Sequence, residues 1–160
     1  AQISHLDQDF RFLSGDPPTK ETPLHSAFYE TRSGTGAVVH LHSTYAVILS
    51  MLPDTDPDNV LPPLTPYTIM RLGKVILLPF FLPGDPGMGD AVRELGGTRS
   101  AVLLANHGPV VAGHDIWAAS FAMEELEETA KLAVLTRGMN ATSLTDADIQ
   151  AVVKKFDVDW

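Results

Sequence analysis

Two histidines separated by one residue stand at the end of the apolar segment Ala37-Val38-Val39-His40-Leu41-His42. A segment of this character is typical of a buried strand, in which alternate side chains point to the same face. The spacing therefore predicts that His40 and His42 share one face of a strand and that Leu41 points to the other. Two imidazoles on one rigid face can hold a metal ion.

A third histidine follows a second apolar segment. Ala101 to Asn106 is predicted as a core strand, and His107 comes directly after it, before a turn at Gly108-Pro109. Three neutral imidazoles with one open coordination position are the ligand set of a catalytic zinc site. The alternative for each histidine is a buried ring whose nitrogens are satisfied by hydrogen bonds.

Glu21 lies in a polar, proline-containing loop, Gly15 to His25, that leads into a predicted helix. Thr22 is the expected N-cap of that helix, with Pro23 at the first helical position. For Glu21 the residues alone favour a solvated or helix-start carboxylate, since acids are common near helix N-termini. A catalytic role depends on the motifs that surround it.

The motif Pro-x-x-Glu ending at Glu21, the later His-x-His-Ser and the Asn-His-Gly around His107 together resemble the class II (metal-dependent) aldolase and adducin family. The resemblance implies that Glu21 is the catalytic acid/base. It also implies that His40, His42 and His107 bind one divalent metal ion per chain. We expect Zn²⁺, although imidazole ligands also accept Mn²⁺ or Co²⁺.

Within this family the chain is most similar to the branch that decarboxylates 3-oxo-tetronate 4-phosphate. The similarity rests on the stretches Gly15 to Glu21, His40 to Tyr45, Thr65 to Gly73 and Pro83-Gly84-Asp85. The branch implies a carbon–carbon lyase that releases carbon dioxide and forms dihydroxyacetone phosphate through a metal-stabilised enediolate. The alternatives left open are a sugar-phosphate aldolase, such as fuculose-phosphate aldolase, an epimerase, and a non-enzymatic adducin-like binding domain.

Two basic residues near the motifs are candidates for binding substrate. Aldolases of the family carry two serines before the glutamate, whereas this chain has Thr19 and Lys20. Lys20 and Arg71 could each hold the carboxylate or the phosphate of an acidic substrate. The alternative for each is a solvated surface charge.

Charge and composition limit the possible partners. The formal net charge is -9 with a pI near 4.9, so nucleic acid and anionic membrane surfaces would repel the chain. No apolar stretch has the length of a membrane span. The absence of cysteine is compatible with the cytoplasm, where we expect the protein. The resemblance implies a small phosphorylated sugar-acid substrate and a homotetramer.

Apolar segments alternate with amphipathic ones along the chain and predict an α/β fold. The family resemblance implies a three-layer α/β/α arrangement with a central mixed, largely antiparallel sheet. The predicted strands and helices are strands at Ala1–Asp7, Ala37–His42, Val75–Phe81 and Ala101–Asn106, and helices at Pro23–Arg32, Tyr45–Leu52, Asp90–Leu95, Asp115–Arg137 and Asp146–Phe156.

Three further expectations concern the rest of the chain. Residues 53–66, rich in proline and aspartate, are predicted to form a loop. The cluster Glu124, Glu125, Glu127 and Glu128 is predicted to be a charged outer helix face. We expect one domain over residues 1–160, lacking the family's N-terminal portion with its phosphate-binding Ser-Gly-Asn loop.

Overall fold

The computed structural model describes residues 2–160 and contains six strands and six helices within that range. The strands are β1 (Ser4–Leu6), β2 (Phe12–Gly15), β3 (Ala37–His40), β4 (Ile76–Leu78), β5 (Ala101–Leu104) and β6 (Gly108–Gly113). The helices are α1 (Thr22–Thr31), α2 (Thr44–Met51), α3 (Pro66–Arg71), α4 (Gly87–Glu94), α5 (Ile116–Leu135) and α6 (Asp146–Phe156).

The central sheet has the strand order β3-β6-β5-β4. Strand β6 pairs antiparallel with both β3 and β5, and β4 pairs parallel with β5. Strands β1 and β2 form a separate antiparallel pair. The prediction of a mixed, largely antiparallel sheet is therefore confirmed.

Helices cover both faces of the central sheet. Alternate residues of β5 point to opposite faces, so Leu103 packs in a core with α2 and α5, whereas Val102 packs in a second core with α1 and α4. Leu103 and Val102 are both fully buried, as expected for a strand between two apolar layers. The predicted three-layer α/β/α arrangement is confirmed.

The two C-terminal helices begin at side-chain caps. The Asp115 carboxylate accepts a hydrogen bond from the Ala118 backbone N–H at the start of α5. Thr145 and Asp148 form a reciprocal capping box at the start of α6, which agrees with the N-cap predicted for Thr145. Among the described residues, no helix has both the length and the apolar character needed to cross a membrane.

Some predicted boundaries were wrong. Pro66–Arg71 is helical, where the prediction had no helix. Pro66 stands at the first helical position, to which the fixed φ of proline is suited. Helix α4 begins at Gly87 rather than Asp90. Of the strand predicted over residues 1–7, Ser4–Leu6 is observed, and Ala1 lies outside the described residues.

Candidate active site

Strand pairing brings the first and the last histidine of the sequence motifs to one edge of the sheet. His40, the last residue of β3, lies opposite Val110 in β6. Strand β6 begins immediately after His107. Because β3 and β6 are antiparallel, the end of one strand and the start of the other meet, and the two imidazoles come together.

The predicted strand over Ala37–His42 was too long, because β3 ends at His40. The next residue, Leu41, lies opposite Pro109, which has no backbone N–H to donate to the ladder. Only the Leu41 N–H to Pro109 carbonyl hydrogen bond remains there, at 3.3 Å. His42 therefore lies in the turn before α2 and not on the strand.

The three histidines nevertheless form one cluster. The Nε2 atoms of His40 and His107 lie 3.4 Å apart, and one ring nitrogen from each of His40, His42 and His107 lies within 4.8 Å of the others. Ligands about 2.0–2.1 Å from a tetrahedral zinc ion are separated by about 3.3 Å. The donor set and its spacing therefore fit a divalent metal ion.

The protein fixes the orientation of the His40 ring. Its Nδ1 atom lies 2.8 Å from the Pro109 carbonyl oxygen. Since a carbonyl oxygen can only accept, Nδ1 donates the proton and Nε2 keeps its lone pair toward the cluster. Burial lowers the pKa of His40 below the ordinary value of 6.5, against the opposing effects of the Pro109 contact and Glu21. The neutral, ligating form is thus favoured.

Glu21 faces this cluster from the start of α1. Its two carboxylate oxygens lie 3.6 Å from His40 Nε2 and 3.5 Å from His107 Nε2. Glu21, and not Thr22 as predicted, is the N-cap of α1, although its side chain makes no capping hydrogen bond. The Thr22 hydroxyl instead donates to the Thr19 carbonyl oxygen at 2.7 Å. Glu21 therefore stands at a helix start while its carboxylate points to the histidines.

A cavity of about 720 Å³ opens in front of the cluster. Its lining includes Glu21, His42 and His107, together with Lys20. The Lys20 side chain runs over Gly84, where an added Cβ would lie 2.8 Å from the Lys20 Cδ atom. The structure thus brings Lys20 to the same cavity as the predicted catalytic and metal-binding residues.

Arg71 lies elsewhere in the chain. It lines a second cavity of about 510 Å³ that also contains Ala112 and Gly113, at the far end of β6 from His107. Its guanidinium carbon lies 6.0 Å from the centroid of the Phe121 ring. Within a single chain, Arg71 and the histidine cluster therefore belong to different cavities.

His25 is a neighbour of the cluster that was not predicted from the sequence. Its ring centroid lies 6.4 Å from that of His40, with the two rings nearly perpendicular. Burial lowers the pKa of His25, and His40 lowers it further, while Glu21 raises it. The signal was present in the sequence, because a residue four positions after Glu21 lies on the same face of a helix.

The prediction that the four glutamates of α5 form a charged outer face was wrong at two positions. Glu124 and Glu128 are exposed, as expected. Glu127 is half-buried and accepts hydrogen bonds from the Tyr45 and Ala46 backbone N–H groups. Glu125 accepts a hydrogen bond from the Thr129 hydroxyl at 3.2 Å, and burial raises its pKa. Sequence spacing cannot show which helix packs beside these carboxylates.

Three histidines at the edge of a mixed sheet between two helix layers form a donor set that can hold a metal ion, and a carboxylate faces them; an ion held in this way can polarise a substrate oxygen. The chain belongs to the family described as Class II Aldolase and Adducin N-terminal domain, whose model matches residues 1–134. This finding confirms the resemblance based on the sequence motifs.

Individual relatives within this family are similar to the chain over most of its length. The chain is 45% identical over 148 residues to the 3-oxo-tetronate 4-phosphate decarboxylase of Escherichia coli strain K12. This alignment covers 92% of this chain and 70% of the relative. The chain is 43% identical over 149 residues to the enzyme of that name from Haemophilus influenzae, covering 93% of this chain and 71% of the relative. The crystal structure of YgbL from Escherichia coli superimposes with a TM-score of 0.91 at 42% identity, covering 94% of this chain and 73% of that one.

Proposed function

We propose that this protein is a metal-dependent decarboxylase that converts 3-oxo-tetronate 4-phosphate into dihydroxyacetone phosphate and carbon dioxide. The observation that carries the proposal is the placement of the Glu21 carboxylate, 3.6 Å from His40 Nε2 and 3.5 Å from His107 Nε2, within a cavity large enough for a small phosphorylated substrate. The 43–45% identity to decarboxylases of this substrate supports the choice of reaction.

His40, His42 and His107 are the proposed ligands of one divalent ion, and we propose zinc because three neutral imidazoles form a common zinc site. Manganese or cobalt would fit the same nitrogen ligands. When bound, the ion would polarise the substrate ketone and accommodate the negative charge that develops on its oxygen as carbon dioxide departs.

Glu21 is the proposed acid/base. Cleavage of the bond between the carboxylate carbon and its neighbour leaves that neighbour with an electron pair, and one proton must be added there to complete dihydroxyacetone phosphate. The Glu21 oxygens lie beside the two imidazole nitrogens proposed as metal ligands, where they can deliver this proton. Water resupplies the proton before the next turnover.

Lys20 is the proposed substrate-binding cation of this cavity. The chain carries a net charge of -9, so an anionic substrate needs a local positive group to offset the repulsion. Lys20 lines the cavity with Glu21 and His107. Arg71, in its separate cavity, could serve this reaction only from a second copy of the chain, which the proposed homotetramer would provide. We also propose that the protein acts in the cytoplasm.

An aldolase or epimerase would use the same ligand set, because polarisation of a ketone oxygen assists all of these reactions. An adducin-like binding domain has no chemical requirement for a carboxylate directed at a histidine cluster. The deciding experiment incubates the purified, zinc-loaded protein with 3-oxo-tetronate 4-phosphate and, separately, with fuculose 1-phosphate. We expect equal amounts of carbon dioxide and dihydroxyacetone phosphate from the first substrate. Cleavage of the second substrate alone would identify an aldolase.

A further inference from the structure

The carboxylate of Glu127 joins α5 to the first turn of α2. Each of its oxygens accepts one backbone hydrogen bond, from the Tyr45 N–H at 2.9 Å and from the Ala46 N–H at 2.9 Å. Helix α2 begins two residues after His42. The contact therefore links the segment that carries one histidine of the cluster to the longest helix of the described chain.

Glu127 replaces a local helix cap. The first N–H groups of a helix have no partner within the helix, and the N-cap side chain usually satisfies one of them. Ser43 occupies the N-cap of α2 without making such a bond, and its hydroxyl is buried with no partner among residues 2–160. The N-terminus of α2 is thus held by a residue more than eighty positions away in the sequence. The position of the first turn of α2 therefore depends on the position of α5.

The contact affects His42 in particular, because no hydrogen bond among the described residues orients its ring. His40, by contrast, is fixed by the Pro109 carbonyl oxygen. The His42 imidazole is placed by the backbone between the end of β3 and the start of α2. Helix α5 packs on β3 and β6, so Glu127 fixes the distal end of this short connection relative to the sheet that carries His40.

The other end of α2 lies against the third histidine. The Ser50 hydroxyl oxygen accepts a hydrogen bond from the Asn106 N–H at 3.0 Å. Asn106, at a positive φ of 55°, directly precedes His107. Helix α2 therefore bridges the His42 and His107 segments, and a displacement of its first turn would change the distance between their imidazoles.

We infer that Glu127 is a positioning residue of the metal centre, which holds α2 against α5 so that His42 completes the ligand set. The inference rests on the proposed function only in that His40, His42 and His107 hold the ion. Partners hydrogen-bonded directly to metal ligands typically contribute about 10–100-fold to metal affinity, and Glu127 acts on His42 through the backbone of the segment that carries it. We expect the loss of the Glu127 bridge to weaken metal binding on this scale.

The experiment titrates the metal-free full chain with Co²⁺ and follows the visible absorption of the bound ion, at a temperature where circular dichroism shows each variant to be folded. In Glu127→Gln an amide NH₂ replaces one acceptor oxygen and faces a backbone donor. We expect its Co²⁺ affinity to fall about 10–100-fold, with saturating Co²⁺ restoring part of the turnover. Glu124→Gln, an exposed change on the same helix, should bind like the unaltered chain.

Unchanged Co²⁺ affinity in folded Glu127→Gln would overturn the inference, even if its thermal stability falls, because a cap that only stabilises α2 does not alter affinity in the folded state. If Glu127→Gln does not fold, Glu127→Asp decides. Its shorter carboxylate cannot reach both N–H groups, so reduced affinity supports the inference and full affinity overturns it. Failure of the proposed reaction would appear separately, as an unaltered chain that binds Co²⁺ but releases no carbon dioxide.

Discussion

The Nδ1 atom of His40 lies 2.8 Å from the carbonyl oxygen of Pro109. Pro109 therefore has two roles. It ends the β3–β6 ladder because it has no backbone N–H, and its carbonyl oxygen orients His40, the first ligand of the proposed metal centre. The end of the strand and the direction of the imidazole have the same structural origin.

Removal of any histidine of the cluster should release the metal. We expect His40→Ala, His42→Ala and His107→Ala each to lose most of the bound ion and of the activity, since two neutral ligands hold zinc poorly. Metal content per chain after dialysis measures the effect. His114→Ala, at an exposed histidine outside the cluster, is the matched control. Stoichiometric zinc in the His40→Ala protein would place the site elsewhere.

Replacement of Glu21 should separate chemistry from folding. Glu21→Gln keeps the size of the side chain but cannot donate and accept the proton, so turnover should fall by about 10²-fold or more. Bound metal and melting temperature should stay near those of the unaltered chain, because the carboxylate makes no capping hydrogen bond in α1. A large loss of thermal stability with unchanged turnover would instead indicate a structural role at the helix start.

The metal-free protein should become less stable as the pH falls below about 6.5. Burial lowers the pKa of His25, His40 and His107 from the ordinary value of 6.5. The unfolded chain then binds protons at a higher pH than the folded chain does, so the free energy of unfolding decreases as the pH falls from 6.5 through the lowered values. Urea unfolding of the metal-free protein between pH 8 and about pH 5 tests this. A stability that rises over that range on acidification would contradict it.

Gly108 is required by the close approach of the His42 segment. A Cβ at this position would lie 2.3 Å from the Leu41 carbonyl oxygen and 3.3 Å from His42 Cδ2. Gly108→Ala should therefore displace the turn, lowering stability by about 1–3 kcal/mol and weakening metal binding. Gly87→Ala is the control, because the nearest atoms there are side-chain atoms of Asp85 and Phe81, at 3.1 and 3.2 Å. If Gly108→Ala and Gly87→Ala bind the metal with equal affinity, crowding at Gly108 does not affect the metal centre.

Local sequence patterns predicted individual strands of the sheet and three histidines at strand ends, because apolar segments and the turns that end them depend on nearby residues. The family resemblance supplied the mixed sheet, the complete ligand set and the role expected for Glu21. Contacts between distant residues were not predictable in this way. Nothing near Glu127 shows that α2 lies beside it, so a carboxylate that accepts two backbone hydrogen bonds was predicted to be solvated.

The same limit applies to strand ends and caps. The apolar pattern of Ala37–His42 predicted a strand through His42, but its partner at the next ladder position is a proline, and pairing cannot be read from one strand alone. Thr22 has the chemistry of an N-cap, yet the helix starts one residue earlier than the cap rule implied, and Glu21 occupies the position. Helix caps depend on the conformation of the entering loop as well as on residue type.

Lys20 and Arg71 should differ in whether a second copy of the chain can restore the activity lost when they are replaced. Both Lys20→Met and Arg71→Met should weaken binding of the acidic substrate, raising KM more than they lower kcat, because each would remove a cation that we propose binds the substrate in the ground state. Lys20 lines the cavity of its own chain, whereas Arg71 lines a different one. In a homo-oligomer, only Arg71 would then act on the site of a neighbouring copy.

Mixed oligomers test this difference. When the Arg71→Met and Glu21→Gln proteins are unfolded together and refolded, some sites receive Glu21 from one chain and Arg71 from the other, and activity at low substrate concentration should rise above that of either parent. A mixture of Lys20→Met with Glu21→Gln should show no such gain, because each defect lies in the same chain as its site. If the Arg71→Met mixture gains no activity and Arg71→Met alone has an unchanged KM, Arg71 is a surface cation held on the Phe121 ring and has no part in binding substrate.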